Sequence, residues 1–105
     1  MDIRIVWVTF PDAAIAREIG TQMVESQLAA CVNLIPSIES IYRWKGAVER
    51  TQEVLGIFKT SRELMPAFED HMKKLHPYEV PEIVAFAPSE VSLPYAQWVH
   101  DETIH

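Results

Sequence analysis

Seven consecutive residues, His76-Pro77-Tyr78-Glu79-Val80-Pro81-Glu82, place an imidazole, a phenol and two carboxylates around a pair of prolines. Those side chains can exchange protons, hold a cation or ligate a metal. Proline fixes φ and removes a donor, so the segment is neither helix interior nor central strand. The residue before each proline is pushed towards extended geometry. The segment is therefore a stiff connector with its polar and aromatic groups held in set directions. It serves as a rigid helix-to-strand joint or as one wall of a binding site.

Three further places carry chemistry. Cys31 is the only cysteine, which excludes an intrachain disulfide. It is either a small buried hydrophobe or a soft metal ligand or reactive thiol. Tyr42-Arg43-Trp44-Lys45-Gly46 sets two aromatics beside cations at a turn. Such aromatics pack across hairpins or wall a ligand pocket or interface. Lys59 ends an apolar strand run, where it either snorkels or pairs with Glu79, Glu82 or a ligand carboxylate. The histidines are His71, His76, His100 and His105, and neither five-residue interval puts two imidazoles on one helix face. With three glycines there is no phosphate-cradling loop. No Ser-His-Asp order and no Cys-x-x-Cys is present.

The elements that position these groups follow from pattern. Ile3 to Phe10 reads as a strand, and Pro11-Asp12 opens a helix with Ile15, Ala16, Ile19, Met23 and Leu28 on its apolar face. Cys31 to Ile35 is a second strand, broken at Pro36 and resumed from Ile38 to Trp44. Lys45-Gly46 turns it into a return strand, Ala47 to Lys59, with Pro36 marking a bulge or a bend. Thr60 and Glu63 have capping-box spacing, so the second helix is expected to begin there, with Leu64, Phe68, Met72 and Leu75 on its inner face. Ile83 to Ala87 is a last strand, and Pro94 to Val99 a short terminal helix carrying Tyr95 and Trp98. The order is strand, helix, strand, strand, helix, strand. That is the ferredoxin-like α+β arrangement with a long central hairpin, its first and third strands central.

Those two central strands alternate between two apolar sets. Ile3, Ile5 and Trp7 oppose Val6, Val8 and Phe10; Leu55 and Ile57 oppose Val54 and Phe58. The helices cover one face only. The other must be covered by further copies of the chain or by the terminal segment.

The bulk numbers bound the rest. A chain of 105 residues, 49% of them apolar, is a single domain, residues 1–105, able to build a core without staples. The net charge of −6 and the scattered basic residues exclude a nucleic-acid backbone surface. No apolar run approaches the ~20 residues of a membrane span, and the N-terminus lacks a signal-peptide pattern. With the lone cysteine, these features lead to the expectation of a cytoplasmic protein.

Four motifs together resemble the divalent-cation-tolerance (CutA) family: Ala29-Ala30-Cys31-Val32-Asn33, Ser40-Ile41-Tyr42-Arg43-Trp44-Lys45-Gly46, Lys59-Thr60, and His76-Pro77-Tyr78-Glu79-Val80-Pro81-Glu82-Ile83. The match runs from Val8-Thr9-Phe10-Pro11 to Tyr95-Ala96-Gln97-Trp98. The resemblance implies a cytoplasmic homotrimer, similar in architecture to trimeric nitrogen-regulatory signal proteins. It implies tolerance of copper and other divalent metals, with no settled enzymatic activity. The family's shared residues fall on Cys31, Tyr42, Trp44, Lys59, His76, Tyr78, Glu79, Glu82 and Trp98, gathered at clefts between subunits. Members proposed as copper binders carry a cysteine and a histidine where this chain has Val8 and Leu75. Of that set only His76 remains as a metal ligand.

Three functions follow as expectations. The first is a trimeric metal-response protein binding copper or a small anionic ligand at inter-subunit clefts, with no required cofactor. The second is a structural hub without a small ligand. The third is an enzyme using His76 with Glu79 or Glu82 as acid and base.

Overall fold

Strand-forming residues run almost without interruption from Cys31 to Ser61, and this stretch becomes one long hairpin. A computed structural model describes all residues from Met1 to His105. In chain order it holds β1 (Ile3–Phe10), α1 (Ala13–Glu25), β2 (Cys31–Trp44), β3 (Ala47–Ser61), a 3-10 turn (Arg62–Leu64), α2 (Met65–Leu75), β4 (Val84–Phe86) and α3 (Leu93–Asp101). The four strands form one antiparallel sheet in the order β2-β3-β1-β4, so β1 and β3 are central as the order of elements leads one to expect. This is the split βαβ topology.

Local signals account for most of the boundaries. Asp12 caps α1 by accepting the Ile15 amide at 2.8 Å. The hairpin turn has positive φ at Lys45 (49°) and Gly46 (84°), the primed geometry whose twist matches the flanking strands. Pro36 and Ser37 form a bulge: the register steps from Ile35 opposite Leu55 to Ile38 opposite Glu53, with Ser37 at φ 59°. The two predicted strand pieces are thus one strand with an irregularity.

The second helix does not begin at Thr60. Thr60 lies in β3 opposite Arg4, is fully buried, and donates its hydroxyl to the Leu28 carbonyl at 2.7 Å. The expected capping hydroxyl is therefore committed to a contact thirty-two residues back in the chain. β3 runs on to Ser61 because β1 extends to Ile3 and pairs with it.

The core lies between the helices and one face of the sheet. Val6, Val8, Phe10, Val54 and Phe58 pack against Ala16, Ile19 and Met23 of α1 and Phe68 and Met72 of α2. Gly56 is required in this layer, since a Cβ there would meet the Phe10 ring at 2.9 Å. The opposite face carries Ile5, Trp7, Leu55 and Ile57, in register with Phe86, Val84 and Ile35. The helix α3 covers only one end of it, where Ala96 and Val99 bury against Ile3 and Ala30. Trp7, Ile35, Val84 and Phe86 stay 39–44% exposed in the single chain.

The role of Thr60 is open to measurement. Thr60→Val leaves the Leu28 carbonyl without its donor and is expected to cost about 1–3 kcal/mol in urea unfolding. Glu63→Ala, which breaks no cap, is expected to stay within about 0.5 kcal/mol of the parent.

Candidate functional site

β3 is paired with β1 only from Val54 to Ser61. Before Val54 it pairs with β2 alone, so Ile38–Trp44 and Ala47–Glu53 project as a two-stranded arm. A cleft of about 720 Å³ opens where this arm meets the segment after α2. Its walls include Tyr42 and Trp44 from the arm, Tyr78, Glu79 and Glu82 from the proline-bounded segment, and Glu39 and Glu53 from the hairpin strands.

The bulge places the aromatics. Before it, the odd-numbered β2 residues Cys31, Asn33 and Ile35 share a face with Lys59, Ile57 and Leu55. After it, even-numbered residues do, so Tyr42 and Trp44 fall on the same side of the ribbon as Glu53.

His76 ends α2 in an extended conformation (φ −75°, ψ 136°), as the following proline demands. Its ring is buried and stacks on Phe10 at 5.1 Å. Nε2 lies 2.8 Å from the Thr9 carbonyl, and Nδ1 accepts the Tyr78 amide at 3.1 Å. That pattern requires the neutral tautomer with its proton on Nε2. Burial lowers the imidazole pKa below 6.5, against the opposing pull of the Thr9 carbonyl and the Glu53 charge. Both nitrogens are therefore occupied by structure, leaving no free lone pair for a metal or a substrate proton.

Tyr78 donates its hydroxyl to Glu53 Oε2 at 2.6 Å. Its own pKa is raised, first by burial and then by the Glu53 hydrogen bond and charge. Glu53 was not among the residues singled out from sequence. The available signal was a carboxylate two residues before Leu55, in phase with the apolar pair Leu55 and Ile57.

The predicted site residues divide into two groups within one chain. Tyr42, Trp44, Tyr78, Glu79 and Glu82 line the cleft, with His76 packed among the core residues behind it. Cys31, Lys59 and Trp98 lie elsewhere. Lys59 stands between Ile5 and Cys31 on the open sheet face, and its ammonium hydrogen-bonds Asn33 Oδ1. Within one chain Lys59 does not meet Glu79 or Glu82, and Glu79 faces Lys45 at 3.9 Å; the pairing expected at a cleft between subunits needs a second copy. Lys59 precedes α2 in sequence, but β3 carries it to the far end of the sheet from the cleft. Cys31 Sγ lies 3.4 Å from the Tyr95 hydroxyl, and Tyr95 packs on Trp98. Partial burial and then the Cys31 thiol push the Tyr95 pKa up to about 12.

The state of His76 gives a pH signature. Its folded pKa is depressed, so the unfolded chain takes up the proton first as pH falls. Its contribution to stability is complete above pH 6.5 and is lost as pH drops from there towards the lower folded value. Between about pH 7.5 and about pH 5.5 the melting temperature is expected to fall further for the parent than for His76→Gln, which has no proton to gain. Equal slopes in a thermal melt series would contradict the assignment.

Comparison with known proteins agrees with this architecture. Residues 4–102 match the family described as CutA1 divalent ion tolerance protein. The chain is 46% identical over 101 residues to human Protein CutA, covering 96% of itself and 56% of that relative. It thus spans little more than half the length of its mammalian relatives. Divalent-cation tolerance protein CutA of Thermus thermophilus is 43% identical over 99 residues, covering 94% of this chain and 96% of that one. The solved CutA1 of Oryza sativa superposes with a TM-score of 0.97 at 35% identity, covering 100% of this chain and 96% of that one. A match over nearly the whole chain, in sequence and in fold, means that it belongs to the CutA1 divalent ion tolerance family.

Proposed function

We propose that the chain works as a homotrimer in the response to metal ions, holding a cation in the cleft beside the hairpin arm, with no catalysis of its own. The observation that carries this reading is the lining of the cleft. Within one chain Glu39, Glu53, Glu79 and Glu82 line it and no lysine or arginine does, Lys45 reaching only its rim. A small anion, the ligand expected from the aromatics and cations at the hairpin turn, would meet four carboxylates. A cation would be drawn in, and the net charge of −6 adds to the attraction.

The copper set implied by the resemblance does not fit. Val8 is fully buried in the core, Leu75 packs against the same core, and both His76 nitrogens are engaged. No group of three or more histidine, cysteine or acidic side chains converges within one chain. A divalent ion at the cleft therefore needs donors from a second copy, with the carboxylates as hard oxygen ligands.

The case for a trimer rests on the uncovered sheet face. Trp7, Phe86, Val84, Ile35, Leu55 and Ile57 form a contiguous apolar surface in register across all four strands. A monomer would leave this surface wet. A cytoplasmic location is consistent with the unpaired Cys31.

Two measurements test the reading. Light scattering is expected to give three times the 12.0 kDa chain mass. Ile57→Asp is expected to reduce that mass, because burying an unpaired carboxylate costs several kcal/mol, about the stability of a small domain. Calorimetry with Cu(II) is expected to show affinity weaker than about 1 μM, unchanged within about a factor of two in His76→Gln. A tight copper site lost with His76 would refute the assignment of that residue.

A further inference from the structure

We infer that the ligand of this cleft is an organic ammonium ion, held between an aromatic wall and a buried carboxylate. The inference rests on reading the cleft as a cation site and specifies the class of cation. A bare metal ion needs several oxygen donors within about 2.0–2.6 Å and gains nothing from aromatic faces. The cleft is built otherwise. Its volume of about 720 Å³ suits an organic molecule, and Tyr42, Trp44 and Tyr78 supply three aromatic rings to it. Faces of Trp and Tyr attract an ammonium through the ring quadrupole, most strongly where water is excluded.

Glu53 provides the second, independent observation. The residue is 8% exposed, so most of its side chain is removed from bulk water. Its only side-chain partner is the Tyr78 hydroxyl, on Oε2. Oε1 takes no hydrogen bond, yet no fully buried side-chain oxygen in the chain lacks a partner. Oε1 therefore reaches the cleft that Glu53 lines, with one acceptor unused. A largely buried carboxylate with a free oxygen in the lining of an aromatic-walled cleft is matched by a positively charged donor.

The chain supplies an ammonium of its own in a similar setting. Lys45 Nζ lies 5.5 Å from the centroid of the Trp44 ring and 3.9 Å from Glu79 Oε2. Both side chains of that pair are about 70% exposed, so the contact is loose and opens readily. It shows the rim accommodating an ammonium between an aromatic face and a carboxylate. An incoming cation would use the same combination deeper in, with Tyr78 and Glu53 in place of Trp44 and Glu79.

The test is calorimetric titration of the full chain with 1,4-diaminobutane dihydrochloride and with tetramethylammonium chloride, at low salt, with sodium acetate as the anionic control. The parent is expected to bind the ammonium probes and not acetate. Trp44→Leu removes an aromatic wall without changing charge, and Glu53→Gln removes the buried charge while keeping an acceptor for Tyr78. Each is expected to weaken binding roughly tenfold with circular dichroism and mass unchanged. Equal affinity in the parent and Trp44→Leu would mean attraction to surface charge alone and would overturn the inference. A parent that binds Mg(II) or Cu(II) in a Glu53-dependent manner but ignores both ammonium probes would overturn it while leaving the cation cleft standing. If no cation responds to either substitution, both readings fall.

Discussion

A strand of fifteen residues cannot be paired along its length by a neighbour of eight. β3 takes β1 as its second partner only from Val54 onward, and everything before that is a two-stranded ribbon. Such ribbons are marginal alone in water. This one is anchored where it leaves the sheet: Glu53, the last residue before the pairing with β1, is buried and tied to Tyr78. The arm, the cleft beside it and the buried carboxylate at its base all follow from this mismatch in strand length.

The proline-bounded segment closes the other side of the cleft because it is locked to the end of β1. His76 stacks on Phe10, meets the Thr9 carbonyl and accepts the Tyr78 amide. Two prolines then fix the direction of what lies between them. The imidazole works here as a structural clamp. A clamp with both nitrogens occupied makes a poor general base and a poor ligand, and burial keeps it neutral.

The two sheet faces meet different fates. The helices seal one, while α3 caps only an end of the other. Cys31, Lys59, Tyr95 and Trp98 gather near that capped end, away from the cleft. Within one chain the residues implied by the resemblance therefore occupy two regions. The uncovered apolar surface between them is what a trimer would bury, and a second copy would be the means of bringing the regions together.

Much of the fold was legible in the chain itself. The order of elements gave β1 and β3 their central places, their alternation gave two apolar faces, Asp12 announced α1, Lys45-Gly46 the turn, and Pro36 the break in the ladder. These signals are local: each depends on the φ preference, side-chain period or capping group of a few neighbouring residues. The proline spacing likewise marked 76–82 as a rigid wall. What local pattern left open was which groups meet. Thr60 has the spacing of a cap, but its hydroxyl is claimed by Leu28. Lys59 lies near the acidic segment in sequence and is carried away from it by β3. Glu53 gave little sign of itself, yet it lines the cleft and is tied to its other wall by Tyr78, twenty-five residues on. Periodicity and turn chemistry act over a few residues and can be read in order. The partner of a buried polar group is chosen by strand register and packing, which exist only once the whole chain has folded.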